Sequence, residues 1–116
     1  CGDARTDAAD AAAKLLSRFD CDAILVDADM RALGVYDELL RQGISVPADM
    51  GLMGYEGLDF TRFHPPYLTS IEIPWDELIA AALHELEHLD GTRTPHKHIQ
   101  MIGRVLPGHT TTACQD

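Results

Sequence analysis

The stretch AILVDADMRALGVYDELLRQG, residues 23–43, decides the fold class of this chain. It opens with four consecutive apolar residues, 23–26, and a strand that is apolar on both faces is typical of a parallel sheet covered by helices. Apolar residues then recur at helical spacing, at Ala32, Leu33, Tyr36, Leu39 and Leu40. Asp29 is the predicted N-cap of this helix, and Gly43 is its predicted end. The stretch therefore predicts a buried strand followed by a helix.

Similar patterns on both sides of this unit predict further helices and strands. Apolar residues at helical spacing from Thr6 to Phe19 predict a helix with Thr6 as its N-cap. The remaining predicted elements are strands at 51–54, 68–71 and 99–102 and a helix at 74–90. The alternation predicts an α/β three-layer sandwich with a mainly parallel sheet over residues 1–102. Residues 103–116 are expected to form a frayed polar tail.

Composition and charge exclude several classes of protein. With 116 residues, 46% of them apolar, the chain can form one hydrophobic core but not two. Nine Lys and Arg against 19 Asp and Glu give a net charge of −10, which argues against nucleic-acid binding by this surface. We expect no membrane span and no signal segment, because no apolar run is long enough and no basic segment opens the chain. The three cysteines (Cys1, Cys21 and Cys114) form no CxxC pair, so a reducing cytoplasm is expected.

A zinc-protease motif is present, and we interpret it as a chance match. Residues 84–88, HELEH, match HExxH, in which two histidines bind zinc and the glutamate acts as general base. The third ligand of metzincins would fall at Thr94, and no glutamate follows Glu87. The two histidines lie opposite the apolar stripe of their helix, so they are expected to face water. We therefore predict no metal, no cofactor and no catalytic residue, with a zinc hydrolase as an alternative that metal analysis would test.

Two acids follow the first predicted strand. Asp27 and Asp29 lie at its carboxyl end, which is where open α/β sheets bind ligands. A phosphoacceptor aspartate is one interpretation, but it would need a lysine late in the sheet, and the only lysines are Lys14 and Lys97. A second interpretation is that Asp29 only caps the following helix. A third is a polar ligand site.

Five sequence blocks follow one another along the chain: AILVDADMRALG at 23–34, GISVPAD at 43–49, LMGYE at 52–56, PPYLTSI at 65–71 and LEHLDG at 86–91. In order and spacing they resemble blocks of the LacI/GalR-type transcriptional regulators, whose first block reads AI…ND.MALG. By this resemblance the chain is identified as the C-terminal part of a periplasmic-binding-protein-like effector domain of type I.

The resemblance implies three ligand-binding residues. In the family a small metabolite, usually a sugar, binds between two subdomains. Glu56 stands where the family usually has an aspartate that accepts hydrogen bonds from ligand hydroxyls, and Asp29 stands at the acid of the ND pair. Trp75 stands at an often aromatic position, where it would stack on a sugar ring or pack in the core. Ala28 replaces the family's asparagine, which removes a hydrogen-bonding amide.

The resemblance also implies partners. The expected apolar patch of a homodimer interface consists of Leu33, Tyr36, Leu40, Phe63 and Tyr67. Operator DNA would be bound only by an N-terminal headpiece that this sequence lacks, and the helix at 74–90 would pack on the N-terminal subdomain. Ligand binding would shift the subdomains and so change operator affinity. The expected protein is a cytoplasmic regulator and not an enzyme; a transport-type periplasmic sugar-binding protein, which would need an export signal, is the alternative.

Overall fold

The computed structural model describes residues 3–89 and 97–112 of the chain. Helices and strands follow in the order α1 (Ala4–Leu16), β1 (Ala23–Leu25), α2 (Asp29–Arg41), β2 (Gly51–Glu56), α3 (Phe60–Phe63), β3 (Thr69–Glu72), α4 (Trp75–Glu87) and β4 (Arg104–Leu106). None of the helices within these residues is long and apolar enough to cross a membrane.

The four strands form one sheet in the order β1-β2-β3-β4. β1 pairs with β2 and β2 with β3 in parallel, whereas β4 pairs with β3 antiparallel. The predicted α/β class with a mainly parallel sheet is therefore confirmed. Because the first three strands run the same way, their carboxyl ends meet at one edge of the sheet. The loops that follow β2 and β3 start from that edge.

The hydrophobic core lies where α2 packs on one face of the sheet. The buried apolar residues are Ala12, Ala32, Val35, Leu39, Met50, Leu52 and Leu68. Ala32 and Leu39 belong to the α2 stripe that the sequence spacing predicted, whereas Val35 was not predicted and Leu40 of that stripe is exposed. α1 packs on the same helix so closely that a Cβ at Gly34 would lie 2.0 Å from the carbonyl oxygen of Arg5. Only glycine allows the two helices this approach.

The opposite face of the sheet and α4 are largely exposed, so the prediction that β1 is buried on both faces is wrong. Leu25, Tyr55 and Val105 point to that face by the strand register, and all three are exposed. α4 contains no buried residue, although its apolar residues follow helical spacing. The predicted helix at 74–90 is confirmed over 75–87, and residue 90 lies outside the described residues. Its packing on an N-terminal subdomain stays a prediction.

Both predicted helix caps are wrong. α1 begins at Ala4, and its N-cap is Asp3, whose carboxylate accepts a hydrogen bond from the Arg5 amide at 3.3 Å. Thr6 is the third residue of the helix. α2 begins at Asp29 with Ala28 as N-cap and no side-chain capping bond, because the Asp29 carboxylate turns inward to the loops of the sheet edge.

The last strand lies later than predicted. The sequence indicated residues 99–102, but the strand is β4, which pairs Leu106 with Ser70 and Arg104 with Glu72. The expectation of a frayed tail after residue 103 is also wrong for residues 104–112. Thr110 is buried, and its Oγ1 donates to the Leu52 carbonyl at 2.7 Å and accepts from the Thr69 amide at 2.9 Å. Burial of a hydroxyl is tolerated when both of its bonds are made, and apolar content alone does not reveal this.

Candidate ligand-binding recess

A recess of about 830 Å³ lies at the carboxyl ends of β2 and β3. Its walls come from the loop after β2, the first turn of α4 and the start of β4. Polar and aromatic lining residues include Glu56, Asp59, Glu72, Trp75, Glu77 and Arg104. This is the place where open α/β sheets bind ligands.

Glu56 lies in this recess at the end of β2, as predicted for a strand-end acid. Its backbone has φ of 114°, a conformation that residues with a side chain rarely adopt. The chain turns sharply here because Gly57 also has a positive φ, and a Cβ on Gly57 would lie 2.6 Å from the Cα of Glu72. The Glu56 carbonyl accepts a hydrogen bond from the Ile73 amide at 3.3 Å, which ties the two strand ends together.

Asp29 lies beneath the wall of the recess and not among its lining residues. It is fully buried, with Oδ1 accepting from the Ser70 hydroxyl at 2.6 Å and Oδ2 accepting from the Leu58 amide at 2.8 Å. A Cβ at Gly54 would lie 2.2 Å from Oδ1, so the strand passes directly over this carboxylate. Asp29 therefore joins α2, β3 and the loop after β2, and it holds that loop at the recess.

Glu72 and Arg104 form an ion pair in the recess that the sequence reasoning missed. Nε and Nη2 of Arg104 donate to Oε2 of Glu72 at 2.8 and 2.5 Å, and Nη2 of Arg62 donates to Oε1 at 2.8 Å. The hydrogen bond from Arg104 lowers the pKa of Glu72, with the nearby charges of both arginines adding to this effect. The available signal was Glu72 itself, an acid closing a strand next to the one closed by Glu56. The sequence around Arg104 contains no comparable signal, because its polar composition predicts a frayed tail.

Trp75 lies at the other wall of the recess as the first residue of α4. The residue is 52% exposed, so the alternative of a core tryptophan is not what the structure shows. Its amide donates to the Ile73 carbonyl at 2.8 Å, which fixes where the helix starts. The recess thus combines an exposed indole ring with carboxylate oxygens from two strand ends. Such a set can stack on a ring and accept hydrogen bonds from hydroxyl groups.

Comparison with protein families shows which family this chain belongs to. Residues 1–111 match the family described as the periplasmic binding protein-like domain. This chain belongs to that family. The transcriptional regulator MalR of Streptomyces coelicolor is 33% identical over 105 residues, covering 89% of this chain. The chain spans about 30% of the length of that relative.

Solved structures of LacI-family regulators contain the same fold. A LacI-family regulator from Sanguibacter keddieii superposes with a TM-score of 0.83 and 27% identity, covering 94% of this chain and 42% of that one. A LacI-family regulator from Lactobacillus casei with bound sucrose superposes with a TM-score of 0.71 and 26% identity, covering 92% of this chain and 40% of that one. The predicted relationship of this periplasmic binding protein-like chain to LacI/GalR-type regulators is confirmed.

The HExxH residues of this periplasmic binding protein-like chain do not form a metal site in the described part. His84 and His88 lie on α4 and just after it, with ring centroids 4.2 Å apart, and His88 Nδ1 contacts the His84 carbonyl oxygen at 2.7 Å. Glu85, which would be the general base, is ion-paired with Lys97 instead. The hydrogen bond from this lysine lowers the pKa of Glu85. No group of three metal-ligating side chains occurs within residues 3–89 and 97–112.

The residues predicted for a dimer interface fall on α2 and around α3. Leu33 and Tyr36 are half-buried, whereas Leu40 is exposed at the end of the same helix. Phe63 and Tyr67 are exposed, and the Tyr67 ring lies 5.1 Å from the ring of His109. Their role in dimerisation stays a prediction.

Proposed function

We propose that this chain is the C-terminal part of the effector domain of a transcriptional regulator, and that its recess binds a small metabolite of the sugar type. The ligand lies between this part and an N-terminal subdomain that is outside the sequence. Its binding changes how two subunits present their DNA-binding headpieces to an operator. The regulator acts in the cytoplasm and catalyses no reaction.

The recess at the strand ends carries this proposal. Glu56 offers carboxylate oxygens to ligand hydroxyls, and Trp75 offers the exposed face of its indole ring. The two side chains sit on separate elements, β2 and α4, whose meeting point is held by the bond between Ile73 and Glu56. Asp29 contributes by holding the loop after β2, so we propose an indirect role for it. The relationship to a sucrose-bound regulator of the same fold agrees with a sugar as ligand.

A ligand screen on the whole protein tests the binding role. Sugars and nucleosides, with sucrose as the first probe, are added while thermal unfolding is followed. A ligand at about a hundred times its Kd should stabilise the protein by about 2.7 kcal/mol. A protein that binds its operator but responds to none of these compounds would contradict the proposal.

Substitutions in the recess locate the ligand. Glu56→Gln removes a charged acceptor, and such hydrogen bonds contribute about 1.5–3 kcal/mol, so the Kd should rise about tenfold to a hundredfold. Trp75→Ala should weaken binding as well, while Asp10→Asn on α1 serves as a matched control that keeps the ligand Kd. A ligand whose Kd is the same in all three variants would bind elsewhere.

The proposed dimer is tested separately. Leu40→Lys combined with Phe63→Lys places two charges in the predicted patch, so the sedimentation coefficient of the whole protein should fall to that of a monomer. Phe19→Lys changes an equally exposed apolar residue outside the patch and should leave the dimer intact. If the double variant sediments like the unchanged protein, the interface lies elsewhere.

A further inference from the structure

We infer that the recess selects a hydroxyl-rich ligand without negative charge and rejects phosphorylated or carboxylated analogues of it. This inference rests on the proposed function, because it concerns the ligand of the same recess. It follows from how the charges of the recess are already paired within the protein.

The single cationic side chain among the described lining residues is already paired with a carboxylate. Arg104 lines the recess, but its Nε and Nη2 both donate to one oxygen of Glu72. Arg62 reaches the other oxygen of the same carboxylate. Specific binding of a phosphate group usually relies on an arginine fork that is open to it. Here Glu72 occupies the Nε and Nη2 side of that fork.

Within residues 3–89 and 97–112, the other charged side chains that line the recess are all carboxylates. Glu56, Asp59, Asp76 and Glu77 lie around the recess and come from two different segments, the loop after β2 and the first turn of α4. None of the hydrogen bonds or ion pairs found within the described residues neutralises these four side chains. A cleft lined by one sign of charge repels ligands of that sign.

The start of α4 does not offer an anion site either. A helix N-terminus has a partial positive charge and unpaired amides that often bind phosphate. In α4 the acidic side chains of Asp76 and Glu77 occupy the first turn. They complement the helix dipole and place negative charge where a phosphate group would lie. An uncharged sugar meets none of these repulsions and can still donate hydroxyl hydrogens to the carboxylates.

Paired ligands test the inference in the whole protein. Each unphosphorylated compound is compared with its monophosphate by calorimetry, using ribose, sucrose, glucosamine and adenosine. In every pair that binds, the unphosphorylated member should have the lower Kd by at least about tenfold. A pair in which the monophosphate binds as tightly or more tightly would overturn the inference. If no pair binds, the proposed function fails, and the next measurement still decides the charge of the recess.

Quenching of Trp75 fluorescence measures that charge without any ligand. Trp75 is the only tryptophan of this 116-residue chain, so any other tryptophan of the whole protein is replaced by phenylalanine. Relative to a free tryptophan amide, the cation caesium should quench Trp75 at least about twofold more effectively than the anion iodide. Equal or greater quenching by iodide would overturn the inference.

Two variants connect the charge to named residues. Glu72→Gln releases Arg104 and Arg62, so both iodide quenching and the affinity for a monophosphate should rise, the affinity by about tenfold. Glu77→Gln alters an exposed residue with no ion pair to lose, and it should raise iodide quenching even if the first variant is unstable. Asp10→Asn on α1 is the matched control and should change neither quantity. Unchanged quenching in both recess variants would contradict the assigned source of the charge.

Discussion

α2 and α4 are both helices of 13 residues with apolar residues at helical spacing, yet only α2 buries its apolar face in the hydrophobic core. α2 buries six residues between α1 and the sheet, whereas α4 buries none. The exposed apolar residues of α4 are Trp75, Leu78, Ile79, Leu83 and Leu86. The comparison shows that an amphipathic stripe indicates which face of a helix can be buried. What the face is buried against depends on the rest of the molecule.

The largest expected difference between the two helices concerns leucine side chains. Leu39 on α2 is 0% exposed, and Leu83 on α4 is 54% exposed. Leu39→Ala should lower the free energy of unfolding of the 116-residue chain by about 2–5 kcal/mol, because it leaves a cavity. Leu83→Ala should change it by less than about 0.5 kcal/mol. Urea unfolding followed by circular dichroism gives both values.

The same pair of variants also tests what covers α4. If α4 packs on a further subdomain, Leu83→Ala should cost more in the whole protein than in the 116-residue chain. An equal, small cost in both would show that the apolar face of α4 stays exposed. If Leu83→Ala lowers the free energy of unfolding of the 116-residue chain as much as Leu39→Ala does, the two helices do not differ in burial as described.

A second, smaller difference concerns an aspartate in the first turn of each helix. Asp29→Ala removes the acceptor of the Ser70 hydroxyl and the Leu58 amide, and unpaired buried donors should cost about 3 kcal/mol. Asp76→Ala removes only a favourable interaction with the helix dipole, at about 0.3–1 kcal/mol. Thermal unfolding of both variants measures the difference. If both cost the same, the inward bonds of Asp29 contribute nothing.

A further difference is a pH dependence of stability that comes from α2. Glu38 is buried at 6% exposure, and its hydrogen bonds from Arg41 and Gln42 lower its pKa from 4.5 to about 2. A carboxyl group whose pKa is lowered by folding stabilises the protein above its unfolded-state pKa and loses that contribution as the pH falls. The stability should therefore decline between about pH 4.5 and pH 2.

Two variants check that assignment. Glu38→Gln cannot titrate, so the decline in urea stability between pH 4.5 and pH 2 should become shallower than in the unchanged chain. Arg41→Gln removes the strongest partner of Glu38 and should have the same effect. A decline as steep in Glu38→Gln as in the unchanged chain would show that other groups cause it.

Part of the recess could be read from the sequence. The strand-end position of Glu56 and the place of Trp75 at the start of a helix follow from local patterns and from the five blocks of family resemblance. The ion pairs of Glu72 with Arg62 and Arg104 could not be predicted from local patterns, because the three residues lie on β3, α3 and β4. The inward turn of Asp29 was hidden for a related reason, since an aspartate before a helix is usually a cap and its partners here lie 29 and 41 residues further along the chain.

The amino-acid sequence by itself determined the α/β class, the strand and the helix within residues 23–43, and the burial of Ala32 and Leu39 on α2. These depend on short-range spacing, which a linear chain displays directly. The tertiary structure alone decided where β4 pairs, how Thr110 is buried, which arginines Glu72 binds and that α4 buries none of its residues within the described part of the chain. Such features depend on contacts between residues far apart in sequence, which local sequence patterns do not predict.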